Sequence, residues 1–154
     1  MTIEAKPNIN FNIDYELFPL LQLIVNNIYH TALHIEEFLE GQRHELIYDE
    51  NTMVTEINIG ELYTSISVDS GGLVRIHWRV REKNNFDNYP YTEKVNIGFD
   101  DETGNFDIKK LLPYCHSELS ELIELCEKDF ATLRDVQLQV VKLLQSISYV
   151  ARNF

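Results

Sequence analysis

A chain of 154 residues with a net charge of −12 is long enough to bury a core without disulfide staples. It is also too acidic to grip nucleic acid, whose phosphates demand clustered Lys and Arg. No apolar run approaches the ~20 residues of a membrane-spanning helix, because Asn26 and Asn27 interrupt the richest one.

In chain order, residues 1–12 show no periodicity and read as a flexible arm, followed by a single α+β domain over 13–154. The first residues, MTIEAKPNIN, have neither the basic nor the apolar region of a signal peptide. Leu17, Leu20, Leu21, Ile24, Ile28, Ile35, Phe38 and Leu39 recur at helical spacing. They predict one amphipathic helix of about 26 residues, from an N-cap at Asp14 to a stop at Gly41. Beyond it the period changes to two. Residues 44–82 predict successive antiparallel strands with turns at DENT (49–52) and DSGG (69–72), and a β-bulge where the alternation changes phase at Gly60. In the clearest strand, Leu73–Glu82, the residues Val74, Ile76, Trp78 and Val80 face inward, and Arg75, His77, Arg79 and Arg81 face outward. A further strand over Thr92–Asp100 is expected to place Val95, Ile97 and Phe99 on one face, before a turn at 101–106.

A short helix from Asp107 must end near Pro113. From Ser117 as N-cap, Leu119, Leu122, Cys126, Phe130, Leu133, Val140 and Leu144 predict helix to about Val150, either unbroken or divided near Thr132. The fold class is therefore α+β. An antiparallel meander of four to five strands is expected to be covered on one face by a long N-terminal helix and a long C-terminal helix or helix pair.

Catalytic constellations are weak. His30, His34 and Glu37 have the i, i+4, i+7 spacing of zinc ligands, but they lie opposite the apolar stripe and read as solvated. Cys115 has His116 only as a chain neighbour, which does not build a nucleophile–base pair. DSGGLV opens a strand and lacks the Lys-Ser of a phosphate loop. Cys115 and Cys126 show no CxxC or metal spacing and read as reduced thiols, in keeping with a cytoplasmic location. No catalytic residue, metal or cofactor is expected.

Two charged surfaces remain as partner-binding candidates. Residues 1–60 carry ten acids against two bases, and Glu36, Glu37, Glu40, Glu45, Asp49 and Glu50 could dock a basic protein. Arg75, Arg79 and Arg81, with His77 between them and Lys83 beyond, form a basic row along one strand. The row could hold a small anionic ligand such as a nucleotide, or pair with the chain's own Asp69, Glu61 or Glu56. The C-terminal helix offers a route to a homodimer through an apolar stripe interrupted by Gln137 and Ser148.

The stretch NNFDNYPYTEKVNIGFD, preceded by GLVRIHWRVRE, is similar in order to ubiquitin-conjugating enzymes and the related RWD domains. In those, an N-terminal helix, a meander, a Tyr-Pro and closing helices follow one another. Tyr89-Pro90 carries the resemblance. The further prolines are replaced by Thr92 and Glu93, His-Pro-Asn does not occur, and no Cys lies between residues 90 and 114. The resemblance thus implies at most a catalytically inactive RWD-like scaffold subunit. In size, charge and mixed α/β content the chain is also similar, as a class, to small acidic inhibitors and chaperones of bacterial toxins and secreted effectors. The function expected is a non-enzymatic acidic protein-binding module of immunity, inhibitor or chaperone type that neutralises a basic partner.

Overall fold

A computed structural model describes residues 13–48, 61–83 and 91–153. The fold is α+β: helix α1 (Phe18–Tyr48), strands β1 (Glu61–Val68), β2 (Val74–Lys83) and β3 (Tyr91–Val95), the short α2 (Ile108–Leu111) and the long α3 (Ser120–Asn153). The strands form one sheet in the order β1-β2-β3. β3 runs antiparallel to β2, in a register from Arg79 opposite Val95 to Lys83 opposite Tyr91. Among the described residues this makes three strands. The DENT turn and the Gly60 bulge fall in 49–60, outside the described residues, as does Tyr89-Pro90. None of the described helices is long and apolar enough to cross a membrane.

Two boundaries differ from the sequence reading. Gly41 does not stop α1, and the segment from His44, expected as strand, is its continuation. An interior Gly costs a helix only about 1 kcal/mol, and tertiary bonds outweigh that here: both terminal guanidinium nitrogens of Arg43 donate to the Leu62 carbonyl, at 3.2 and 2.9 Å. The strand expected over Thr92–Asp100 ends at Val95, because Asn96 (φ 59°) and Gly98 (φ 72°) turn the chain. Ile97 and Phe99 therefore do not continue a strand face with Val95. α3, by contrast, runs unbroken through Thr132.

The chain divides into two compact units, one of Met1–Leu33, Ile66–Ile76 and Thr132–Phe154, the other of His34–Ser65 and His77–Ala131. In the first, Phe18, Leu21, Val25, Ile28 and Ala32 of α1, Leu73, Val74 and Ile76 of the hairpin, and Val141, Leu144 and Ser148 of α3 are buried. The α1 stripe is rotated from the expected one, and Leu20 is 47% exposed. The first turns of α1 are apolar almost all round, so periodicity alone cannot choose the buried side. Asp14 makes no side-chain cap. Its carboxylate instead accepts from Arg152 Nε at 2.7 Å, and its backbone N–H donates to Ser148 Oγ at 2.7 Å.

The hairpin turn is built by Asp69. Its Oδ1 accepts from the N–H groups of Gly71 (2.9 Å) and Leu73 (3.0 Å), its own N–H donates to the Leu73 carbonyl (2.8 Å), and Gly72 supplies the positive φ of 85°. Beyond the turn, α3 side chains bond β2 directly. Gln137 accepts from Val74 N and donates to Val74 O, both at 2.9 Å, and Arg134 donates twice to Ile76 O at 3.1 and 2.9 Å.

In the second unit the core holds Trp78, Val80, Phe106, Leu111, Leu119, Ile123, Cys126 and Phe130. The Trp78 and Phe130 rings meet edge to face at 5.7 Å. Glu127 is buried among them. Its Oε1 accepts from Trp78 Nε1 at 3.0 Å and its Oε2 from the Phe106 N–H at 3.3 Å. A buried carboxylate is retained only where such donors replace water. The loop before α2 closes by a bridge between Phe99 and Phe106 and by the Asp107 N–H on the Gly98 carbonyl at 2.8 Å. Asp107 caps α2, accepting from Lys109 N at 3.0 Å, and Pro113 lies in the 3-10 turn that follows. His116, rather than Ser117, caps the turn leading into α3, its Nδ1 accepting from Glu118 N at 3.2 Å.

Candidate functional site

The acidic candidates separate into two kinds. Glu36 is half-buried and accepts from Thr64 Oγ1 at 2.5 Å, so it ties α1 to β1. Glu37, Glu40 and Glu45 are exposed. Glu40 also lies 3.4 Å from Arg43, one helical turn away. Asp49 and Glu50 fall outside the described residues. On the same side of α1 as Glu45, with Glu37 about 100° round the helix and Glu40 nearly opposite, stands Phe38, 59% exposed, which the helical spacing had assigned to the buried stripe. α1 thus presents an exposed aromatic side chain with acids on the same and the neighbouring side, a combination in which a fitted partner would desolvate the ring while its bases meet the carboxylates.

The basic row keeps its expected outward direction, with Val74, Ile76, Trp78 and Val80 buried on the opposite face of β2. Its members are engaged within the protein. Arg75 Nε lies 3.5 Å from Asp69 Oδ2 at the turn, and the Arg81 guanidinium sits 4.8 Å above the Tyr63 ring. His77 stacks on Phe99 at 5.7 Å and meets Phe106 edge-on at 5.8 Å. Arg79 is half-buried. Trp78 packs away from this row, so no indole faces a ligand held there.

His30, His34 and Glu37 are exposed on α1, and no group of three or more His, Cys, Asp or Glu among the described residues is arranged to hold a metal ion. Both cysteines are free thiols. Burial pushes the Cys115 thiol above its ordinary range. Burial, and secondarily the charge of Asp129, push Cys126 up to about 11. Each is held in the protonated form, which is the poor nucleophile.

Sequence reasoning missed the polar groups that organise the interior. Glu127 and Gln137 sit at helical spacing within apolar stripes and look there like interruptions. Their role needs the neighbouring strand to be in place. The exposure of Phe38 was missed for the opposite reason, since it fits an apolar stripe of which Leu21, Ile28 and Leu39 are buried while Leu20 and Phe38 are left at its exposed edge. Compared with family models, curated proteins and solved structures, the chain matches none.

Proposed function

We propose that this protein is a non-enzymatic acidic binding module that docks a more basic protein partner, in the manner of an immunity-type inhibitor or a chaperone. The observation that carries the reading is the exposed Phe38 on α1 with the exposed Glu45 on the same side of the helix and Glu37 on the neighbouring side, in a chain of net charge −12. Aromatic side chains that become buried at a protein interface are among the residues that carry most of its binding energy. The acidic field raises the association rate of a basic partner and is screened by salt. The same reading takes the protein to be cytoplasmic and its sheet to be a meander of four to five strands covered on one face by the helices.

The test is a partner screen at low ionic strength, followed by titration of the recovered protein against variants. Glu37→Lys with Glu45→Lys should slow association and flatten its salt dependence, and Phe38→Ala should speed dissociation at least tenfold. Arg75→Glu should leave binding unchanged. A partner whose affinity ignores salt, or that binds the Phe38→Ala protein normally, would refute the assignment of this face.

A further inference from the structure

The C-terminal half of α3 carries two apolar stripes. The one containing Gln137 and Ser148, which the sequence singles out for self-association, is the buried one: Gln137, Val141, Leu144 and Ser148 all face the core of the first unit. The other is turned about 100° around the helix at 100° per residue and consists of Leu133, Val136, Val140, Leu143, Ile147 and Val150. Val136, Leu143, Ile147 and Val150 are 43–60% exposed, and Leu133 and Val140 are intermediate. The alternating three- and four-residue steps are those of a coiled-coil seam.

We propose that this stripe is the interface of a homodimer in which two copies of α3 cross antiparallel about a two-fold axis between Val140 and Leu143. Three features favour a second copy over a foreign partner. First, the stripe is self-complementary under that operation, as a two-fold interface requires. Leu133 meets Val150 of the partner copy, Val136 meets Ile147, and Val140 meets Leu143, so every layer is apolar. Second, the flanking positions on the open side, Gln139 and Ser146, come opposite each other and are uncharged. Third, residues 132–154 hold three bases (Arg134, Lys142, Arg152) and one acid (Asp135) in a chain of net −12. Two acidic molecules therefore approach here without the repulsion they meet elsewhere. A seam of one helix from each copy lies at the small end of specific interfaces, on the order of 1,000 Å² in total, so the dimer is reversible and concentration-dependent.

Sedimentation equilibrium on the full chain, from about 5 to 200 μM, tests this. The wild-type mass should rise from 18.1 kDa toward twice that value. Val136→Lys and Ile147→Glu should each raise the dimer dissociation constant at least tenfold, with unchanged circular dichroism. Residues 136 and 147 lie three turns apart on one helix and cannot pair within it, but they face each other across the proposed axis. The Val136→Lys/Ile147→Glu double variant should therefore dimerise at least threefold more tightly than the same-sign Val136→Lys/Ile147→Lys control. A wild-type protein that stays at 18.1 kDa throughout overturns the homodimer. A double variant no better than its control overturns the antiparallel geometry.

Discussion

Replacing Glu127 by Leu tests whether the buried carboxylate holds the second unit together. Leu has a similar reach but no acceptors, so two donors lose their partners at once: Trp78 Nε1, now at 3.0 Å from Oε1, and the Phe106 N–H, at 3.3 Å from Oε2. Trp78 is 0% and Phe106 6% exposed, so water cannot replace the carboxylate without opening the core. Each stranded donor costs about 1–3 kcal/mol. Removing a buried charge returns part of this, which leaves a net loss of about 2–4 kcal/mol. Glu127→Gln is the graded case. Its carbonyl still serves Trp78, while its NH2 faces the Phe106 N–H, so one bond is lost and about 1–2 kcal/mol with it. Trp78 is the only tryptophan of the chain, so its fluorescence reports unfolding from inside the network under study. With a urea slope of about 2 kcal/mol/M, the Leu variant should unfold about 1–2 M earlier than wild type and the Gln variant about half as far. A Leu variant within about 0.25 M of wild type, a stability change of ~0.5 kcal/mol, would refute the reasoning. So would a Gln variant less stable than the Leu variant.

Four further outcomes follow from the same structure. Gly98→Ala should cost about 2–3 kcal/mol in thermal or urea unfolding, because its φ is +72° and a Cβ there would come within 3.0 Å of the Asp107 carbonyl and 3.1 Å of Lys110 Cβ. Gly104→Ala, with a φ of +74° and nothing within 4 Å, should cost only the backbone part, about 1 kcal/mol, and the difference isolates the clash. Gln137→Leu should destabilise by about 2–4 kcal/mol in urea unfolding by leaving both the N–H and the carbonyl of Val74 without their side-chain partner. Cys126, whose thiol is pushed up to about 11 in the fold from 9.0, contributes stability that is fully present below about pH 9 and is lost as pH rises through about 11. Wild type should therefore lose up to about 2–3 kcal/mol relative to Cys126→Ala between pH 8 and 11, and parallel curves for the two proteins would disprove the effect. In thiol labelling at pH 8 the half-buried Cys115 should react before Cys126.

Much of the scaffold was legible because local chemistry specifies it. The DSGG turn, the inward row from Val74 to Val80, the helix start at Asp107 and the stop near Pro113 each depend on residues close in sequence. What was not legible depends on partners far along the chain. Gly41 looks like a helix stop until Arg43 is seen reaching the Leu62 carbonyl. α1 and α3 each carry apolar residues around much of their circumference, so the choice of buried face falls to packing. Phe38 and the Val136–Val150 stripe were left outside by that choice. Of the candidate site, the exposure of Glu37, Glu40 and Glu45 agrees with the sequence reading, whereas Glu36 was already committed to Thr64.

The bonds from Gln137 and Arg134 to β2 have a consequence for self-recognition of another kind. Because the Leu73 carbonyl is engaged by Asp69, alternation turns the peptide groups of Val74 and Ile76 away from β1, and the register with β3 begins only at Arg79. Among the described residues no strand pairs with that side of the stretch, and such an edge is the kind of template on which a foreign strand adds and aggregation begins. Gln137 offers Val74 an amide with the donor and acceptor of a peptide group, and Arg134 occupies the Ile76 carbonyl. Two side chains of a helix thus occupy the groups a neighbouring strand would bond, and they block strand addition where β3 gives no cover.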